Sequence, residues 1–65
     1  MLKNNVYNVL HQLVQENKSL WRIKDEYIKD SEGDAQMLAF WEKMEADKEE
    51  HVAELKDLAK RLLES

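Results

Sequence analysis

Apolar side chains recur every three or four residues along two long stretches of this chain. In the first stretch they run from Val6 to Tyr27, and in the second they run from Met37 to Leu62. This spacing lines one face of an α-helix. The pattern therefore predicts two amphipathic helices, at about residues 3 to 29 and about residues 35 to 63.

The two predicted helices are separated by one short polar segment, Asp30-Ser31-Glu32-Gly33-Asp34. This segment contains the only glycine of the chain, and proline is absent. Asp34, or Ser31 with Asp34 three residues later, can cap the second helix. The expected fold is all-α: residues 1–65 form a single antiparallel helical hairpin, with its turn at about residues 30 to 34.

A hairpin of 65 residues has little core with which to offset the conformational entropy lost on folding. Each apolar stripe is also wide, because it contains apolar residues that are adjacent in sequence and so project in different directions: Leu13 with Val14, and Phe40 with Trp41. Pairing of two hairpins would cover the surplus and form a four-helix bundle. We expect a homodimer or a higher oligomer, with these core or interface positions: Leu13, Leu20, Trp41, Met44, Lys48 and Leu55.

Composition and charge narrow the classes of function. The chain has no cysteine and a net charge of -4, from 10 basic and 14 acidic residues. The basic residues form no dense block and the apolar runs are short, which argues against nucleic-acid binding, a membrane span and a signal peptide. We expect a cytoplasmic protein without membrane contact. The sequence also lacks the common motifs of nucleophilic and phosphate-binding enzymes.

Three polar residues interrupt the apolar stripes in mid-helix. The first stripe runs through Glu16, and the second runs through Lys48 and His51. Antiparallel packing about this turn places residues whose numbers sum to about 64 at the same level. Glu16 is therefore expected opposite Lys48, in one polar layer with His51. A dimer would bring two such layers together.

At these residues the sequence resembles the rubrerythrin-like branch of the ferritin-like superfamily. In that family the first helix of a pair supplies a Glu and the second a Glu-x-x-His, and two pairs build a di-iron or di-manganese centre. Here Glu16 begins Glu-Asn-Lys-Ser-Leu, and His51 lies in the acidic segment Ala-Asp-Lys-Glu-Glu-His-Val-Ala-Glu-Leu. Lys48 occupies the position of the metal-binding Glu, and an ammonium group cannot bind a metal.

The resemblance implies a ferritin-like four-helix bundle, formed when the hairpin dimerises. It makes Glu16 and His51 candidate metal ligands, with Glu45 and Glu49 as auxiliary carboxylates. The metal would be iron or manganese, and the implied activity is oxidase or peroxide chemistry.

Three functions follow from these observations. The first, which we expect, is a non-enzymatic structural or interaction module without a cofactor, a degenerate ferritin-like protein that binds itself and a protein partner. The second is the metal-binding enzyme that the resemblance implies, and it leaves the question of enzymatic activity open. The third is an RNA-binding bundle whose basic face is formed by Lys18, Arg22, Lys24 and Lys29.

Overall fold

The computed structural model describes residues 4–64, and this part of the chain is helical apart from one turn. Helix α1 spans Asn4–Arg22, a π-helical turn spans Ile23–Tyr27, and the short helix α2 spans Ile28–Asp30. Helix α3 spans Ala35–Glu64 and packs along α1. The prediction of an all-α chain with two long helices is confirmed. None of the described helices is long and apolar enough to cross a lipid bilayer.

The turn before α3 is built by the residues that the sequence marks for it. Gly33 has a φ of 90°, a left-handed conformation that other residues adopt only with strain. The Asp34 carboxylate accepts a hydrogen bond of 3.1 Å from the backbone N–H of Met37, so Asp34 caps α3. Ser31 is buried, and its hydroxyl donates a 2.8 Å hydrogen bond to the carbonyl of Tyr27. Of the two predicted caps, Asp34 therefore serves α3, and Ser31 closes the preceding helix.

Substituting Asp34 with Ala should lower the free energy of unfolding by about 1 kcal/mol, because the N–H of Met37 loses its partner. Chemical denaturation measures the change. Asp34→Asn keeps an acceptor oxygen and should retain most of the stability. Glu32→Ala, at an exposed position of the same turn, is the matched control. Equal stability of Asp34→Ala and Glu32→Ala would show that the cap contributes nothing.

A π-helical turn separates α1 from α2. The backbone N–H of Ile28 donates to the carbonyl of Ile23, five residues earlier. Such a turn inserts one residue into the helix and changes the direction in which the following side chains project. Here Ile23 is 1% exposed, and the ring of Tyr27 lies 4.8 Å from that of Trp41 in α3. The π-helical turn thus keeps the side chains of Ile23 and Tyr27 against α3.

The core between the helices is thin. Among the described residues, the buried apolar side chains are Ile23, Val52 and Ala59. The positions that the sequence predicts as core or interface are each half-buried in the single chain: Leu13, Leu20, Trp41, Met44, Lys48 and Leu55. Large apolar side chains that stay exposed are Tyr7, Val14, Trp21, Met37, Phe40, Leu58 and Leu63. The hairpin therefore leaves much apolar surface uncovered.

Candidate functional site

Glu16 and Lys48 form an ion pair between α1 and α3. The Lys48 Nζ lies 3.3 Å from Glu16 Oε1 and 3.1 Å from Glu16 Oε2. The side chains of Lys48 and Glu16 are only 19% and 12% exposed. Helical periodicity places each of them on the face of its helix that meets the other. The expected pairing of these residues is therefore present.

Two further side chains surround the Glu16 carboxylate. The Gln12 amide donates a 3.0 Å hydrogen bond to Oε1, and the Nδ1 of His51 lies 3.6 Å from Oε2. Oε2 is buried, and within the described residues its 3.1 Å contact with Lys48 is an ion pair without the alignment of a hydrogen bond. The His51 side chain is 57% exposed. The polar layer of Glu16, Lys48 and His51 thus exists, with His51 at its solvent-exposed end.

Electrostatics keep Glu16 ionised. Burial alone raises the pKa of its carboxyl group, but the hydrogen bonds from Lys48 and Gln12 and the charges of Lys48 and His51 lower it. The attractive interactions dominate, and the pKa of Glu16 lies below its ordinary value. At neutral pH the carboxylate and the Lys48 ammonium therefore form a pair without net charge.

A shallow groove of about 300 Å³ opens along the layer at one edge of the hairpin. Its lining combines the polar layer with leucines of α3: Gln12, Glu16, His51, Glu54, Leu55 and Leu58. The groove therefore presents ionisable side chains next to exposed leucine surface.

The auxiliary carboxylates predicted for a metal site lie elsewhere. Glu49 forms a 3.0 Å ion pair with Lys24, and its hydrogen bond and charge raise the pKa of Lys24, with a smaller contribution from Glu45. Positions 45 and 49 project from the edge of α3 opposite to position 51, since each residue turns the helix by about 100°. The structure therefore does not bring Glu45 or Glu49 to Glu16.

The residues around Glu16 do not fit a di-metal centre within one hairpin. Within residues 4–64, no group of three or more His, Asp or Glu side chains is placed to hold a metal ion. The cation in contact with both carboxylate oxygens is the ammonium of Lys48, which would repel a divalent ion.

The basic face proposed for RNA is divided by ion pairs. Lys24 pairs with Glu49, and Lys29 lies 3.9 Å from Asp25 one turn earlier. The other two cations, Lys18 and Arg22, line a second groove of about 590 Å³ beside α1. Its remaining lining residues are Asn17, Trp21 and Glu26. Two paired lysines weaken the electrostatic attraction that RNA binding needs.

Comparison with known proteins assigns no family. The chain matches no protein-family model, and no curated protein and no solved structure is significantly similar to it. The rubrerythrin-like relationship stays a prediction from the residues, and the function is argued from the surfaces of the hairpin.

Sequence reasoning missed a further apolar stripe of α1, on a part of its surface that α3 leaves exposed. Tyr7, Val14 and Trp21 are 56%, 50% and 66% exposed, and we call them the outer stripe. They are spaced by seven residues, nearly two helical turns, so they share one face. This heptad spacing was the signal that could have revealed the stripe.

Proposed function

We propose that this protein is a non-enzymatic, self-associating helical-hairpin module that forms a homodimeric four-helix bundle. One feature carries the proposal: an apolar edge of α3 that α1 covers only in part. We call it the α3 edge, and it consists of Met37, Phe40, Met44, His51, Leu55, Leu58 and Leu62. Three of these side chains, Met37, Phe40 and Leu58, are 46%, 50% and 40% exposed in the single chain.

The uncovered area has the size of a dimer interface. The accessible surface of the chain is 5211 Å², whereas a compact monomer of this mass is expected to expose about 4,400 Å². The excess is about 800 Å², which is the area that each partner contributes to a standard protein interface. The exposed surface of the hairpin is therefore large enough to supply one side of a dimer interface.

The spacing of the α3 edge also suits pairing with itself. Two antiparallel copies of α3 can be aligned so that Met37 meets Leu62, Phe40 meets Leu58 and Met44 meets Leu55 of the partner, because these residue numbers add to 98 or 99. Apolar residues then face apolar residues on both sides of a two-fold axis. His51 lies beside that axis. The central position agrees with a role of the polar layer in fixing the register of the two chains.

Dissociation of the dimer should be measurable as a concentration dependence of stability. We expect the melting temperature to rise with protein concentration and sedimentation to give the dimer mass. Leu58→Glu places a charge in the interface and should yield a less stable monomer. Leu63→Glu, at an exposed leucine of the same helix outside the α3 edge, should remain dimeric. A wild-type monomer at millimolar concentration would overturn the proposal.

Cysteine pairs test the register itself, since the chain has no cysteine of its own. Within one chain, residues 40 and 58 are separated by about 27 Å of helix, too far for a disulfide. Oxidised Phe40→Cys/Leu58→Cys should therefore run as a covalent dimer. In the control Lys43→Cys/Lys56→Cys the two residue numbers have nearly the same sum, but the side chains project from other faces of α3. This variant should stay uncrosslinked. The reverse pattern would exclude this alignment.

Metal analysis separates this proposal from the di-iron or di-manganese alternative that the resemblance implies. The dimer would place two copies each of Glu16, Lys48 and His51 near its centre, with both lysines already neutralising the carboxylates. We expect the purified dimer to retain no stoichiometric iron or manganese after dialysis. Retention of about one metal ion per chain, together with metal-dependent stabilisation, would replace the structural function with the metal-binding one.

A further inference from the structure

The outer stripe of α1 is an exposed apolar surface that the dimer does not need. Its most exposed member is Trp21, at 66%, followed by Tyr7 and Val14. The ring of Tyr7 stacks on that of His11 at a centroid distance of 5.7 Å, which adds aromatic surface at one end of the stripe. None of its members belongs to the α3 edge, so two hairpins can pair through that edge without covering the stripe.

The charge around the outer stripe is opposite to that of the whole protein. The chain has a net charge of -4, but the only acidic residue of α1 is Glu16, which faces α3. Lys18 and Arg22 line the same groove of about 590 Å³ as Trp21, and Glu26 is its one acidic residue. The middle of the outer face is thus apolar and basic on an otherwise acidic protein.

The residue types on this face are those that dominate protein interfaces. Trp, Tyr and Arg supply most hot spots, because they bury a large area and also offer a polar group or a charge. Trp21 and Arg22 line one groove beside α1, and Tyr7 is an exposed member of the same stripe as Trp21. Such a concentration on one helix face indicates a docking surface.

We propose that the outer face of α1 binds an acidic amphipathic helix of a partner protein. The heptad spacing of the outer stripe matches the spacing of apolar side chains along one side of a second helix. Glu or Asp residues beside the partner's apolar stripe would pair with Lys18 and Arg22, which gives the contact its charge specificity. Each dimer would carry two such sites.

The same observations favour a helix over a nucleic acid or a membrane. Lys18 and Arg22 release few counterions on contact with a phosphate backbone, since the neighbouring Lys24 and Lys29 are paired with carboxylates. A membrane-bound helix needs a broad apolar face rather than a single stripe, and the inward face of α1 already packs on α3.

Fluorescence and calorimetry test this proposal with a designed probe. The probe is a synthetic 21-residue helix with Leu at heptad positions a and d and Glu at e and g, and its matched control carries Lys in place of Glu. The chain has two tryptophans, so Trp41→Phe leaves Trp21 as the only reporter. We expect saturable binding of the acidic probe with a blue shift of Trp21 emission, and no binding of the basic control.

Variants in the otherwise natural chain locate the site. Trp21→Ala and Arg22→Glu should each weaken binding of the acidic probe by about tenfold or more. Lys29→Glu, whose charge lies beyond the groove, and Leu63→Ala, on α3, should bind as the wild type does. Circular dichroism of each variant verifies that the hairpin is folded.

Several outcomes would overturn the proposal. Equal binding of both probes would indicate an unspecific apolar contact, and loss of binding in Leu58→Glu alone would place the probe on the α3 edge. A shift of Trp21 emission with single-stranded RNA or anionic vesicles, but not with the acidic probe, would assign the face to those ligands. Sedimentation of the same samples reports the dimer separately, so failure of this site and failure of the proposed homodimer are distinguishable.

Discussion

Replacing Lys48 with Met should reduce the free energy of unfolding by about 1 to 3 kcal/mol at neutral pH, because a largely buried carboxylate loses its charged partner. The Glu16 carboxylate is 12% exposed, and Lys48 contacts both of its oxygens. In the variant, Gln12 and His51 are the remaining neighbours, and neither supplies a permanent positive charge. Urea unfolding at fixed protein concentration measures the loss.

The double variant Glu16→Leu/Lys48→Met tests whether the loss of stability comes from the unpaired charge. Replacing both members of a buried pair with apolar side chains is often neutral or stabilising, so we expect the double variant to unfold close to the wild type. The cycle of both single variants and the double variant then isolates the coupling between the two charges. If Lys48→Met alone unfolds like the wild type, the pair is solvated and contributes little.

Acid should affect the wild type and Lys48→Met in opposite directions. In the wild type the folded-state pKa of Glu16 lies below its ordinary value of 4.5, so its contribution is present above that value and is lost as the pH falls through the folded-state pKa. Without Lys48, we expect burial to outweigh the hydrogen bond from Gln12 and the charge of His51, and thus to raise the pKa of Glu16. The variant should then gain stability as the pH falls, because protonation removes the unpaired charge. Parallel pH profiles would contradict this account.

Ile23→Ala should cost about 2 to 5 kcal/mol of unfolding free energy, since a fully buried side chain leaves a cavity. Ile23 is 1% exposed and belongs to the π-helical turn. For a domain of this size the total stability is on the order of 3 to 10 kcal/mol, so the variant should be largely unfolded at low protein concentration. Thermal unfolding followed by circular dichroism detects this loss.

A graded series separates the cavity from a general effect of truncation. Ile23→Val removes one methylene and should lose about 0.5 to 1.5 kcal/mol. Leu63→Ala removes a side chain of equal size from a position that is 59% exposed, and it should change stability by less than about 0.5 kcal/mol. If Ile23→Ala and Leu63→Ala have the same melting temperature, the contact between the π-helical turn and α3 does not stabilise the hairpin.

The polar layer was predictable because residue numbers alone indicate which side chains lie at the same level of two antiparallel helices. Antiparallel packing about a known turn brings Glu16 to the level of Lys48 and His51, and the ion contacts at 3.1 and 3.6 Å agree with that level. The environment of the auxiliary carboxylates was not predicted. Glu49 points to Lys24 on the other edge, a contact between long side chains that residue numbers alone do not specify.

The sequence by itself determined the two helices, the turn and the cap, because these depend on neighbours within a few residues: the three-to-four spacing, Gly33 with its φ of 90° and Asp34 with its bond to Met37. Only the tertiary structure decided how the stripes were divided between covered and uncovered surface. It buried Ile23 through a π-helical turn and left Trp21 two residues earlier in solvent. Which side chains are covered depends on how the two helices are aligned along their axes and how each is rotated toward the other. The local spacing of apolar residues specifies neither property.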